Sequence, residues 1–375
     1  MKIETFELER VQSLWENLVE INLTESGIHP YTLEELLEPE EITELSRLRL
    51  GYGQTNGTIE FRQAISRLYN GADIDNILVT NGSAEANFCA AWNLLEAGDE
   101  MVMMLPNYMQ LWGIARSFGV DVRPFHLRLE ERWLPDLDEL RAAVSPNTKM
   151  IAVCNPNNPT GALLDVDAMQ EIVRVAADVD AWLYCDEVYR GTELDGNESP
   201  SFYGMYDKAV VTGGLSKAYA LPGLRVGWLA GPQAMIADSW GYHDYTSIAA
   251  SPLSNQVGLR ALSPEMRPRI LARSRAQLRG NLPVLQEWLA AQKGFGFVPP
   301  QAAGMAFVSY PMDINSTELV TRLREEKSVL VIAGDCFGMD GHLRFGIGGE
   351  RDVLIEGLGR VSELFAELLG EIDND

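Results

Sequence analysis

The chain has 375 residues, 46% of them hydrophobic, with 30 basic against 54 acidic side chains and a formal charge of −24. That length exceeds one small core and implies two domains, or a large domain with a smaller companion. The acidic balance argues against nucleic acid and anionic membrane as partners, and no apolar run approaches the roughly 20 residues of a bilayer span.

The first stretch, MKIETFELERVQSLWENLVEINL, carries too many charges for a secretory signal and lacks a continuous apolar core. The cysteines, Cys89, Cys154, Cys185 and Cys336, are scattered without CxxC spacing and read as buried thiols of a cytoplasmic protein. The histidines show no ligand spacing, so no metal site is expected. Residues 1–45 are expected to pack as an arm beside the smaller domain or over a cleft.

From about residue 75 to 230, apolar runs alternate with helical patterns. Strands are predicted at Ile77–Val79, Met101–Leu105, Met150–Cys154, Ala181–Cys185 and Ala209–Thr212. One intervening helix places Phe88, Ala91, Trp92 and Leu95 on a face; another carries Met169, Ile172, Val173 and Ala176. This alternation predicts an α/β fold, a mostly parallel sheet sandwiched by helices, spanning residues 46–260. Beyond about residue 260 the pattern changes to a long charged helix (Glu265–Gln292), strands near Met305–Tyr310, Val329–Ala333 and His342–Ile347, and a last helix over Asp352–Glu371. These define a smaller α+β domain over residues 261–375.

Ligands of open α/β sheets bind beyond the carboxyl ends of the strands. There the sequence gathers Asn81-Gly82-Ser83-Ala84, then Pro106-Asn107-Tyr108, then NPNNPTG (155–161), then Asp186-Glu187-Val188-Tyr189, then Gly213-Gly214-Leu215-Ser216-Lys217. Taken singly, each has a plain structural explanation: a turn, a helix cap, a surface lysine. Together they bring an amine, a carboxylate, a phenol, an amide and a helix N-terminus suited to an anion to one edge. Arg225, eight residues past Lys217, can add a bidentate phosphate contact after a turn returns the chain. Gly213 and Gly214 are expected to let the chain turn before Lys217. No G-x-G-x-x-G, Walker loop or G-x-S-x-G elbow is present, which disfavours a nicotinamide dehydrogenase or a serine hydrolase.

The segments LGYGQTNGTIEFRQAI, NPNNPTG, DEVYR, GGLSKAYALPGLRVGW and LRFGIG, in that order, resemble the fold type I, pyridoxal-phosphate-dependent class I/II aminotransferases. The resemblance spans about residues 48–350 and implies pyridoxal 5′-phosphate as cofactor and an α-amino acid as substrate. Lys217 would be the Schiff-base lysine and the base at the substrate Cα. Asp186 would pair with the pyridinium nitrogen, Tyr189 and Asn158 with the ring oxygen, and Tyr108 would stack on the ring. Gly82, Ser83 and Ala84, with Ser216 and Arg225, would hold the phosphate. Tyr52 would reach the neighbouring subunit's phosphate, which implies a homodimer. Arg344, with Asn158, would take the substrate α-carboxylate. One departure stands out: many relatives carry Ser or Thr where this chain has Gly214.

A second, shorter resemblance rests on Ser26-Gly27-Ile28-His29-Pro30-Tyr31-Thr32 and His243-Asp244-Tyr245-Thr246. These segments are similar to arginine-cyclising enzymes of the capreomycidine-synthase type, which use the same cofactor for elimination and ring closure on a hydroxyarginine. It implies that the N-terminal segment is a lid and that Glu25 or His29 meets the substrate side chain; a packing role for His29 is an equal alternative. Amine transfer and elimination with cyclisation both remain open, the first favoured by the family at large. A non-catalytic binding module is disfavoured, because it need not keep both Lys217 and Asp186.

Overall fold

The computed structural model describes residues 2–372. Ahead of the main sheet lie a helix, Glu7–Trp15, and the short strand β1 (Ile21–Asn22). Eight strands then form one sheet: β2 (Ile77–Thr80), β3 (Glu100–Leu105), β4 (Asp121–Arg128), β5 (Leu134–Pro135), β6 (Thr148–Cys154), β7 (Trp182–Asp186), β8 (Ala209–Gly214) and β9 (Gly227–Ala230). Their spatial order is β2-β9-β8-β7-β6-β3-β4-β5. Strands β3, β4, β6, β7 and β8 run parallel, while β9 is antiparallel to both β2 and β8. The carboxyl ends of β2, β3, β6, β7 and β8 therefore share one edge. The central strand β8, and even the terminal strand β2, are buried along their whole length, as expected of a sheet covered on both faces.

The five predicted strands are all present, and three were missed: β4, β9 and the two-residue β5. β4 contains Pro124 and charged residues and buries only Phe125 and Leu127, so it lacks an apolar run. β9 is four residues long and begins at a glycine. The helix Ser83–Leu94 corrects the predicted face in part: Ala91 and Leu95 are buried as predicted, beside Ala86, Cys89, Ala90 and Leu94, and the small side chains among them let it lie close to the sheet. Phe88 and Trp92 turn outward instead and meet Phe118, Tyr242 and Tyr245. Leu95 lies past the helix end in extended conformation. In the helix Val166–Asp178, Met169, Ile172 and Ala176 are buried as predicted, with Val173 at the margin.

The two glycines before Lys217 do not make a turn. Both lie within β8, where neighbours approach closely. A Cβ on Gly213 would strike the Trp228 indole, and one on Gly214 would sit 3.1 Å from the Val226 carbonyl oxygen. A side chain at Gly214 would need the Val226 carbonyl to give by a few tenths of an ångström. The turn comes later, in Pro222–Leu224, and Arg225 follows in left-handed conformation at φ 52°.

The C-terminal part builds a smaller sheet from β10 (Gly296–Phe297), β11 (Met305–Ser309), β13 (Ile332–Ala333) and β14 (His342–Gly346), ordered β10-β11-β14-β13. The strand predicted over Val329–Ala333 is split. Its first half, β12 (Val329–Leu330), pairs in parallel with β1, which ties the N-terminal segment to this region. The 25-residue helix Met266–Ala290 links both sheets: Ser274 donates to the Ala218 carbonyl, and Asn281 to those of Ile347 and Gly349.

Candidate active site

A cavity of about 400 Å³ opens at the carboxyl edge of the large sheet, within the usual size range of ligand sites. Its walls include Ser83, Ala84, Tyr108, Asn158, Asp186, Tyr189, Ser216, Lys217, Arg225 and Arg344, together with Glu25. Asp186 ends β7, so the strand itself delivers the carboxylate to the floor. Its Oδ1 accepts from the Val188 backbone N–H at 3.1 Å. Burial pushes its carboxyl up to about 6, which marks a group that seeks a cation.

One end of the cavity is built for an anion. Gly82, at φ 81°, precedes the helix Ser83–Leu94, and a Cβ there would collide with the Arg225 guanidinium. A Cβ on Gly227 would strike the same turn at Ser83 N. Arg225 Nη1 donates to the Pro222 carbonyl at 3.1 Å and lies 3.5 Å from Ser216 Oγ. A helix N-terminus, a hydroxyl and a guanidinium thus meet. Glu85 braces this turn: it accepts from Asn81 N at 2.6 Å and Ser247 N at 3.0 Å, and it lies 3.1 Å from Nε2 of fully buried His243. Burial opposes its charge, but these hydrogen bonds outweigh it and hold the Glu85 carboxyl down at about 2.

At the other end Arg344, on β14 and almost wholly buried, donates through Nη1 to Asn158 Oδ1 at 2.9 Å and through Nη2 to the Thr24 carbonyl at 2.7 Å. Its Nε is buried without a hydrogen-bond partner. Between the two ends Lys217 Nζ lies 2.7 Å from Glu25 Oε1. Tyr189 OH is 2.8 Å from Ser26 Oγ, and Tyr108 OH donates to Glu9 Oε1 at 2.7 Å.

Two predicted residues lie elsewhere. His29 does not line the cavity; it is exposed, and its Nε2 is 3.6 Å from Glu350. Its position corrects the expected substrate contact, because the chain turns outward after Gly27. Tyr52 is 87% exposed and away from the cavity of its own chain. Gly82 sits behind the wall, beside Arg225. Conversely, the helix Glu7–Trp15 and its C-cap residue contribute Leu8, Glu9, Gln12, Ser13 and Glu16 to the cavity, none of which was anticipated. A charged amphipathic helix reads as an ordinary surface helix, and only the fold brings it to the site. Burial raises the Glu16 carboxyl, and repulsion from Glu25 and Glu9 adds to the shift.

This donor set fits pyridoxal phosphate. It offers an anion pocket at one end, a buried cation-seeking carboxylate on the floor, and a primary amine between them. Fold and site together define a pyridoxal-phosphate-dependent enzyme acting on amino acids. Residues 20–361 match the family model of aminotransferase class I and II, and the chain belongs to that family. It is 33% identical to a capreomycidine synthase from Streptomyces vinaceus, over 91% of this chain and 89% of the relative. It is 28% identical to an arginine–pyruvate transaminase of Pseudomonas aeruginosa, over 85% and 84% of the two chains. A solved pyridoxal-phosphate-dependent aminotransferase from Streptococcus suis superposes with a TM-score of 0.92 at 34% identity, covering 98% of this chain and 99% of that one. No helix among the described residues is long and apolar enough to cross a membrane.

Proposed function

We propose that this aminotransferase-family enzyme takes an amino acid with a cationic side chain and transfers its amine to a keto acid. The observation that carries the reading is one cavity with two unlike walls. Lys217, Asp186 and Arg344 share it with Glu9, Glu16 and Glu25, the last of which lies 2.7 Å from Lys217 Nζ. Arg344 would grip the α-carboxylate and so orient the Cα–H bond for cleavage. Lys217 Nζ would carry the cofactor and receive the Cα proton. Pyridoxal phosphate, when bound, supplies an electron sink for the pair left at Cα. Asp186 would keep the ring nitrogen protonated, while Tyr189 and the amide of Asn158 would hold the ring oxygen, with Tyr108 against the ring. Gly82, Ser83, Ala84, Ser216 and Arg225 would fix the phosphate. The acidic N-terminal wall would pair with an ammonium or guanidinium.

A homodimer is part of this reading. Leu50 and Tyr52 stand exposed, Leu48 lines a groove of mixed character with Leu45, Val257, Glu44 and Arg260, and a second subunit would bring Tyr52 to its neighbour's phosphate site. So is a division into an arm (1–45), a cofactor domain (46–260) and a smaller domain (261–375). The free, buried cysteines support a cytoplasmic setting.

A second reading, elimination and ring closure on a hydroxylated arginine, is favoured by the same acidic wall and by the similarity to capreomycidine synthase. The test is purified enzyme with pyridoxal phosphate and a panel of amino acids including arginine and hydroxyarginines. Cofactor absorbance and product masses are followed. Conversion to the amine form of the cofactor with a keto acid product is expected. A product of unchanged nitrogen count and one water fewer supports the second reading. Absence of any spectral change with every amino acid, or a borohydride-stable adduct surviving in Lys217→Ala, would sink both.

A further inference from the structure

We infer that Glu25 is a positioning residue for Lys217, the counter-ion of the nitrogen that carries the cofactor and receives the proton; this rests on the reading of Lys217 given above. Residues Thr24, Glu25 and Ser26 form a strap in which each residue addresses one group of the site. The Thr24 carbonyl accepts from Arg344 Nη2 at 2.7 Å, Glu25 Oε1 accepts from Lys217 Nζ at 2.7 Å, and Ser26 Oγ lies 2.8 Å from Tyr189 OH. The Gly27 N–H then donates back to Glu25 Oε1 at 2.5 Å, which fixes the carboxylate within its own turn.

The strap cannot drift. Gly304 donates its N–H to the Ser26 carbonyl at 3.2 Å, and a Cβ on Gly304, Gly346 or Gly348 would collide with the strap's backbone carbonyls. These glycines form a groove that admits backbone only. Glu25 is therefore held at Nζ by the fold and not by the ion pair alone.

The charges facing Glu25 are Lys217 at its oxygen, Arg344 further off, and Glu16 from the N-terminal segment, with Glu9 behind it. The Glu25 side chain is about half exposed to the open cavity, and Lys217 and the Gly27 N–H hold its carboxyl down at about 2. It stays anionic throughout the neutral range. A fixed negative charge there favours positive charge on Nζ. It would also hold that amine in place when Nζ no longer carries the cofactor.

The experiment compares wild type, Glu25→Gln, Glu25→Asp and Glu16→Gln, each loaded with pyridoxal phosphate. The pH midpoint of the bound cofactor's absorbance change is read in each. Glu25→Gln is expected to lower the midpoint by about one unit or more, because an opposite charge in contact shifts a titration by that order. Glu25→Asp is expected to recover at least half of the shift, and Glu16→Gln to move the midpoint by less than about a third as much. A midpoint in Glu25→Gln within about 0.3 unit of wild type, or an equal shift in Glu16→Gln, would overturn the inference. Should Glu25→Gln not fold, Glu25→Ala takes its place as the charge-free variant, and a midpoint within about 0.3 unit of wild type there overturns the inference. If wild type itself shows no cofactor absorbance dependent on Lys217, the fault lies with the functional reading beneath.

Discussion

The carboxyl edge of the large sheet and the N-terminal wall face each other across one cavity, yet they are built in different ways. On the sheet edge each group is delivered by a strand end or by the turn after it: Asp186 from β7, Lys217 from the turn after β8, Ser83 from the helix after β2. On the N-terminal wall, Glu9, Glu16 and Glu25 come from a short helix and a strap held by contacts with distant glycines. In the proposed reading the edge supplies the chemistry common to the family, and Glu9 and Glu16 of the wall meet the rest of the substrate, while Glu25 joins the wall to the chemistry through Lys217.

Substitutions on the edge are expected to cost the most. Asp186→Asn is expected to lower kcat by about 10²–10³-fold, the scale of removing one preorganised electrostatic partner. The same change has the opposite effect on the apoprotein. Asp186 binds its proton more tightly when folded, near about 6 against an ordinary 3.8, as does neighbouring Glu187, pushed by burial to about 7. Their contribution is present below the ordinary carboxylate range and is lost as pH rises through about 6 and 7. Apo Asp186→Asn is thus expected to exceed apo wild type at pH 8 by about 1–3 kcal/mol in denaturant titrations, with no difference near pH 4. Loss of activity without that gain would mean the carboxylate is not the strained group described.

Arg344→Lys removes the planar fork and is expected to raise KM by about 10²-fold, with a smaller change in kcat. An equal loss in kcat and kcat/KM, with KM unchanged, would instead place the Arg344 contact in the transition state alone. At the small end, His29→Ala is expected to change kcat/KM less than about twofold, since its ring faces Glu350 at the surface. A tenfold loss there would extend the wall past Gly27 and blur its division from the surface.

The sequence was most informative where backbone geometry and chemistry are local. The strands ending at Leu105, Cys154 and Asp186 are apolar runs, and the turns after them carry unusual residues, so both sheet and site edge could be read directly. It was least informative where the reason for a residue lies far along the chain. Gly213 is small because the Trp228 indole lies against it, and Gly304, Gly346 and Gly348 are small because the strap lies on them. Glu9 and Glu16 have the spacing of any solvated helix face, and no local pattern shows that the fold turns them into a cavity. β4 escaped for a related reason: its pairing with β3 is made through the backbone, which charged side chains and a proline do not reveal.

The most direct measurement is the kcat/KM ratio for arginine against leucine, in wild type and in a Glu9→Gln, Glu16→Gln double variant. If the N-terminal wall selects the cationic side chain, wild type prefers arginine, and the double variant lowers that preference by about 10–100-fold while turnover of leucine is kept, the range expected on removing charge-assisted hydrogen bonds. A preference unchanged by the double substitution, or an equal loss for both substrates, would contradict the division of labour between the two walls.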